Sequence, residues 1–169
     1  MTDQHQSKRG AFMLKKSSQR GFTIVELLIV IVIIGILAAL VLNTFADSQK
    51  RARDTQRTTD ISALATQLEV YYNDHGAYPQ YSQIDSLAKA KTAFPGISED
   101  ALDAPSNPTT ETFDLKSAAS TGVSEYGYVA LNGTNACATD DACTTFTLTW
   151  TKEAPKPGEQ ALQTKKSLN

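Results

Sequence analysis

Residues 22–42 read FTIVELLIVIVIIGILAALVL, an apolar run broken by one charge, Glu26. Its length, about 20 residues, matches a helix crossing the hydrocarbon layer of a membrane. Beyond it the pattern changes character. No Pro or Gly occurs between Gly35 and Gly76, and Ile61, Leu64, Ala65, Leu68, Tyr71 and Tyr72 recur at three- and four-residue spacing. That spacing predicts one apolar face on a helix that continues into water. His75-Gly76 supplies a C-terminal stop, with Pro79 just beyond. The pattern thus predicts one helix over residues 22–75, apolar all round in its first half and striped in its second. Tyr71, Tyr72 and Tyr78 read as helix-to-sheet packing rather than a ligand platform.

Residues 80–122 carry Pro95, Pro105 and Pro108 among many Ser, Thr and Ala, the composition of a long connection with a short helix near residues 82–93. Partial alternation with β-branched and aromatic enrichment then predicts strands at 126–131 (YGYVAL) and 144–151 (TTFTLTWT). Asn132-Gly133 ends the first of them in turn chemistry. A third, short strand falls near residues 160–165, after EAPKPGEQ, which reads as exposed linker. The fold class is α+β: a long N-terminal helix packed against a small antiparallel β-sheet.

Composition refines this picture at one point. The chain has 169 residues, 41% hydrophobic and 20% charged, with a formal net charge of −2. Residues 1–21 hold Lys8, Arg9, Lys15, Lys16 and Arg20 against Asp3 alone, leaving 11 Lys plus Arg against 17 Asp plus Glu in the rest. A basic head on an acidic body has a separate task. The acidic body argues against general nucleic-acid binding, which needs a basic face. The basic head places the N-terminus in the cytoplasm, although Lys50, Arg51, Arg53 and Arg57 lie downstream, partly offset by Asp47 and Asp54. These downstream charges read as a solvated face touching lipid headgroups or as contacts between staggered helices. An ordinary secretory signal fits poorly. Its apolar stretch is roughly 7–15 residues long and precedes a small-residue cleavage site, whereas Thr44-Phe45-Ala46 matches such a site only moderately.

An uncleaved anchor fits the length and leaves Glu26 unexplained, because a carboxylate at membrane depth needs a partner or a proton. The stretch Arg20-Gly21-Phe22-Thr23-Ile24-Val25-Glu26-Leu27-Leu28, followed by the apolar run, closely resembles the prepilin N-terminal motif of type IV pilins and type II secretion pseudopilins. The segment DISALATQLEVYYNDHGAYP is likewise similar to the stretch just after the membrane part in many of these proteins. The resemblance implies cleavage between Gly21 and Phe22 by a prepilin peptidase and N-methylation of the new Phe22 amine. That amine would pair with Glu26 of a neighbouring subunit, or with Glu26 of its own chain in the membrane-stored monomer. In a low-dielectric bundle such pairing neutralises both groups and sets register. Two departures stand out. The leader is 21 residues long, and Asn43 stands where the family often has Pro, while Gly35 matches the glycine at which some of these helices loosen.

The resemblance implies five regions: a cleaved leader (1–21), a transmembrane and filament-core helix (22–42), its amphipathic continuation (43–75), a connecting loop (76–122), and a small β-sheet region with a cysteine-closed loop (123–169). It implies a pilus-like surface filament subunit, a single-pass cell membrane protein that later becomes extracellular, or alternatively a pseudopilin of a secretion or DNA-uptake system. A non-polymerising membrane-anchored binding domain is the third reading. The implied partners are identical or homologous pilin subunits, the prepilin peptidase, an inner-membrane assembly platform with its ATPase, and membrane lipid before assembly.

Cys137 and Cys143 bracket ATDDA in the predicted hairpin connection, and a disulfide closing that ring fits an oxidising compartment. Two thiols with Asp140 and Asp141 make a poor zinc set, and calcium does not take sulfur. A calcium site on Asp140, Asp141 and nearby carbonyls is the weaker alternative. Asn132-Gly133-Thr134 matches a glycosylation triplet but reads first as a turn. His5 and His75 are the two histidines, and no nucleophile, base and orienting residue assemble around either. The sequence reads as non-enzymatic, with no cofactor.

Overall fold

The computed structural model describes residues 21–106, 113–137 and 142–169. Helix α1 is Ile24–His75. The chain divides into two compact units, Met1–Val41 and Leu42–Asn169. In the first, the described residues are the opening of α1 and the three before it, and all of their side chains are exposed. The helix begins two residues later than the apolar pattern predicts because Thr23 caps it. The Thr23 hydroxyl accepts the Glu26 amide at 3.2 Å, and the Glu26 carboxylate accepts the Thr23 amide at 2.8 Å. This reciprocal arrangement is the capping box of an S/T-x-x-E sequence.

The second unit has its own core. The predicted stripe is buried at Ile61, Leu64, Ala65 and Leu68, and Tyr71 and Tyr72 lie half-buried at its margin. α1 ends where expected: Gly76 takes φ +73°, and its amide donates to the Tyr72 carbonyl at 2.7 Å. Tyr78 is buried, packing edge-on to Phe146 at 4.9 Å and against Tyr72 at 4.6 Å, so the tyrosine cluster is packing.

The sheet comprises β1 (Leu115–Lys116), β2 (Tyr126–Asn132), β3 (Asn135–Ala136), β4 (Thr145–Thr151) and β5 (Leu162–Lys166). Its order is β1-β2-β4-β5, with β3 folded back on β2. Cross-strand partners Tyr126↔Trp150, Tyr128↔Leu148 and Ala130↔Phe146 lie in register, and all six are buried on the core side. The period of two along each strand sets them there.

Three sequence expectations change. The sheet is mixed rather than wholly antiparallel, because β1 pairs parallel with β2. The short helix expected near residues 82–93 forms as α2, Leu87–Ala93, but the stretch read as a connecting loop also carries 3-10 turns at Tyr81–Gln83 and Glu99–Leu102, and β1. It buries Ile84, Ala90, Phe94, Leu102 and Leu115 in the core; its apolar residues are spaced irregularly and so leave no period to read. Asn132-Gly133 turns the chain into β3 rather than directly into β4, with Gly133 at φ +64°. Gly127 answers a close approach: a Cβ there would lie 2.2 Å from the Thr149 hydroxyl and 2.3 Å from the Ala118 carbonyl. Only glycine lets the segment before β2 cross the strand at that height.

Candidate functional site

Gly21 and Phe22 precede the capped first turn, and a Cβ built on Gly21 meets nothing within 4 Å. A flexible, uncrowded backbone here suits a protease working at the membrane face. The Glu26 carboxylate also accepts the Thr23 hydroxyl at 2.7 Å. Within a single chain Glu26 is therefore held by Thr23, a partner that sequence reasoning did not consider, although Thr-x-x-Glu before an apolar run is a legible signal. Past this turn every apolar residue through Leu42 is exposed, Ile24 at 85% and Leu40 at 67%. An 18-residue window of α1 reaches a mean hydropathy of 3.3. A bare surface of this kind requires lipid or other apolar helices around it.

Of the downstream charges of α1, Lys50 and Arg51 are exposed, in keeping with a solvated face, whereas Arg53, Asp54 and Arg57 turn inward. Arg57 is completely buried. Its guanidinium donates to Asp54 Oδ1 at 2.8 Å, to Glu153 Oε1 at 2.7 Å and to the Val123 carbonyl at 2.9 Å. Arg53 grips the same Glu153 through Nε at 2.8 Å and Nη2 at 2.5 Å, and the Ser106 hydroxyl donates to it at 2.6 Å. The Asp54 carboxylate closes the network by accepting the Glu153 and Ala154 amides, each at 2.9 Å. The Arg53 hydrogen bonds, with those of Ser106 and Arg57, hold Glu153 well below the ordinary carboxylate range against the opposing effect of burial. Residues 153–154, read as exposed linker, are thus pinned to the helix. The signal was present: 54, 57, 61, 64 and 68 continue one stripe at spacings of three and four, with charges in its first two places.

One turn on, Asp60 accepts Tyr126 Oη and Gln56 Nε2, each at 2.8 Å. Burial pushes the Asp60 carboxyl above its ordinary value, opposed by these two bonds.

Cys137 and Cys143 are joined by a disulfide with Cα atoms 5.7 Å apart. Asp140 and Asp141 lie outside the described residues, as do leader residues 1–20. Among the described residues no group of three or more His, Cys, Asp or Glu is arranged to hold a metal ion.

Residues 16–42 match the family described as the prokaryotic N-terminal methylation motif. Type II secretion system core protein G of Aeromonas hydrophila and that of Pseudomonas aeruginosa are each 39% identical over 83 residues, 48% of this chain and 58% of each relative. The protein of the same name from Escherichia coli is 39% identical over 84 residues, 49% of this chain and 58% of its own length. The chain therefore spans less than two thirds of the curated relatives it matches. No solved structure matches. In the Gly21-Phe22 motif with its capped Glu26 and the apolar helix behind it, and over the stretch matched to core protein G, this chain is similar to the prepilin-type chains of type IV pilins and type II secretion pseudopilins.

Proposed function

We propose that this protein is a pseudopilin: a structural, non-enzymatic subunit stored in the membrane through residues 22–42, with its leader on the cytoplasmic side. A prepilin peptidase cuts between Gly21 and Phe22, the Phe22 amine is methylated, and an assembly platform driven by an ATPase polymerises the product into a short secretion filament. The observation that carries this reading is an apolar helix exposed all round, preceded by the methylation motif and followed by a folded unit with a complete core. A long surface pilus, the other use of such a helix, is the less supported reading, since the relatives above are named as secretion-system core proteins.

Charge pairing between Glu26 and a neighbour's Phe22 amine requires the carboxylate to leave Thr23 or to share itself with the newcomer. That separates two roles of one side chain. Glu26→Ala removes the carboxylate half of the capping box together with the charge, whereas Glu26→Gln keeps the capping box and removes only the charge. The expected outcome is that Glu26→Gln inserts and is processed to methylated Phe22, seen by mass spectrometry of the mature N-terminus, yet fails to cross-link into filaments. Normal filaments from Glu26→Gln would refute the pairing, and an unprocessed N-terminus on the wild-type protein would refute the prepilin route altogether. Loss of protein secretion on deletion supports the secretion role; long surface filaments with secretion intact would reassign the chain to a pilus.

A further inference from the structure

Arg51, Asp54, Thr55 and Thr58 of α1 and Lys152, Ala154, Lys156 and Glu159 after β4 line an open cleft of about 240 Å³. Its acids are already committed. Asp54 serves Arg57 and two amides, and Glu159 holds Lys152 while accepting the Lys156 amide at 3.0 Å. Arg51 and Lys156 form no salt bridge among the described residues, Lys156 acting on Glu159 only through its charge at longer range, so the cleft presents two cations without a carboxylate in contact. The surrounding charge points the same way. After the leader the chain has 11 Lys plus Arg, and six of them (Lys50, Arg51, Arg53, Arg57, Lys152, Lys156) fall in this neck, against four of the 17 acids. The rest of the folded unit holds five Lys against 12 acids.

We infer that this cleft binds the phosphate of an anionic phospholipid while the subunit is stored in the membrane, an inference that rests on the membrane-storage reading above. Arg51 lies nine residues past Leu42, about 14 Å along the helix. The headgroup zone extends about 5–7 Å beyond the hydrocarbon. Helical side chains lean toward the N-terminus, and an arginine covers about half of 14 Å with its stem along the apolar surface and its head in the polar layer. Guanidinium and ammonium groups converging on one cleft suit a phosphate better than a zwitterionic surface, whose positive headgroup they repel. Extraction into a filament then means giving up this lipid.

The test uses the full-length chain in detergent micelles containing equal phosphatidylglycerol and phosphatidylcholine, with retained lipid read by native mass spectrometry. The wild-type chain is expected to retain phosphatidylglycerol preferentially. Arg51→Gln with Lys156→Gln should lower that preference about tenfold or more, whereas Lys89→Gln with Lys91→Gln, equal in charge and outside the cleft, should leave it unchanged. An unchanged ratio in the cleft variant, or an equal fall in both variants, overturns the site. So does a cleft variant that keeps its lipid and instead loses cross-linking between copies, which would assign the cations to a neighbouring subunit's carboxylates. Flotation with pure phosphatidylcholine vesicles tests the parent reading separately: a chain that floats while its lipid preference is unmoved loses only the site, and a chain that does not float loses membrane storage.

Discussion

Arg57 shows how one residue can mislead a sequence reading and then organise a structure. Followed by Thr and Asp on a polar stretch it looks solvated, yet it is completely buried between α1 and the chain leaving β4. A buried charge tolerates this only with its hydrogen bonds filled, and here Asp54, Glu153 and the Val123 carbonyl fill them. Arg57→Met should therefore cost about 3 kcal/mol, since it removes the buried cation shared by Asp54 and Glu153 and leaves Asp54 with backbone amides alone, with unfolding followed by fluorescence of the lone tryptophan, Trp150, buried on β4. The acid limb carries a sign. Glu153 titrates below its ordinary value of 4.5 when folded, so its contribution is present above that pH and is lost as pH falls toward its folded value. Asp60 titrates above its ordinary 3.8, so its contribution is greatest below that value and fades as pH rises. Glu153→Gln should lower stability at pH 7 and flatten the loss below pH 4.5, and a wild-type acid slope left intact in that variant would show that Glu153 is not its source.

At the scale of elements, the sequence made legible whatever had a period or a stop signal. The stripe of Ile61, Leu64 and Leu68, the Gly76 cap and the alternation along β2 and β4 are all local patterns, and each stands where the pattern puts it. β1 was invisible because two residues have no period, and its parallel partners lie eleven residues on, beyond any hairpin signal. Residues 153–154 looked like linker because their partners, Arg53, Asp54 and Arg57, are about a hundred positions away. Turn chemistry was half-legible: Asn132-Gly133 does turn, but into the short β3, leaving the cysteine loop to finish the connection to β4. That loop is tied to the helix end, because Tyr78 donates its amide to the Cys143 carbonyl at 2.9 Å. Cys143 is buried, whereas Cys137 is only partly so. Cys137→Ser should cost about 2 kcal/mol through loss of the ring constraint, and Cys143→Ser more, because it also buries a hydroxyl in an apolar site. Denaturant midpoints of the two variants check this, and equal losses would confine the role of the disulfide to the loop.

At the scale of the whole molecule, the division at Val41 separates two kinds of solubility. Among the described residues, the buried hydrophobic ones all lie beyond Leu42, from Ile61 to Trp150, while the exposed large aliphatics crowd into residues 24–42 and recur later only at Val70, Leu162 and Leu168. The second unit thus owes none of its core to the first, and its 128 residues are enough for an independent domain. A fragment of residues 42–169 should fold without detergent, unfold in one cooperative step seen by Trp150 fluorescence and circular dichroism, and remain monomeric at concentrations where the full chain aggregates unless lipid or detergent is supplied. The charged network should survive as well, so Glu153→Gln in the fragment should show the same acid behaviour as in the intact protein. A fragment that is molten, or that folds only when the apolar helix is restored, would mean that residues 22–41 stabilise the body as well as anchor it; storage in the membrane and folding of the head would then be one event rather than two.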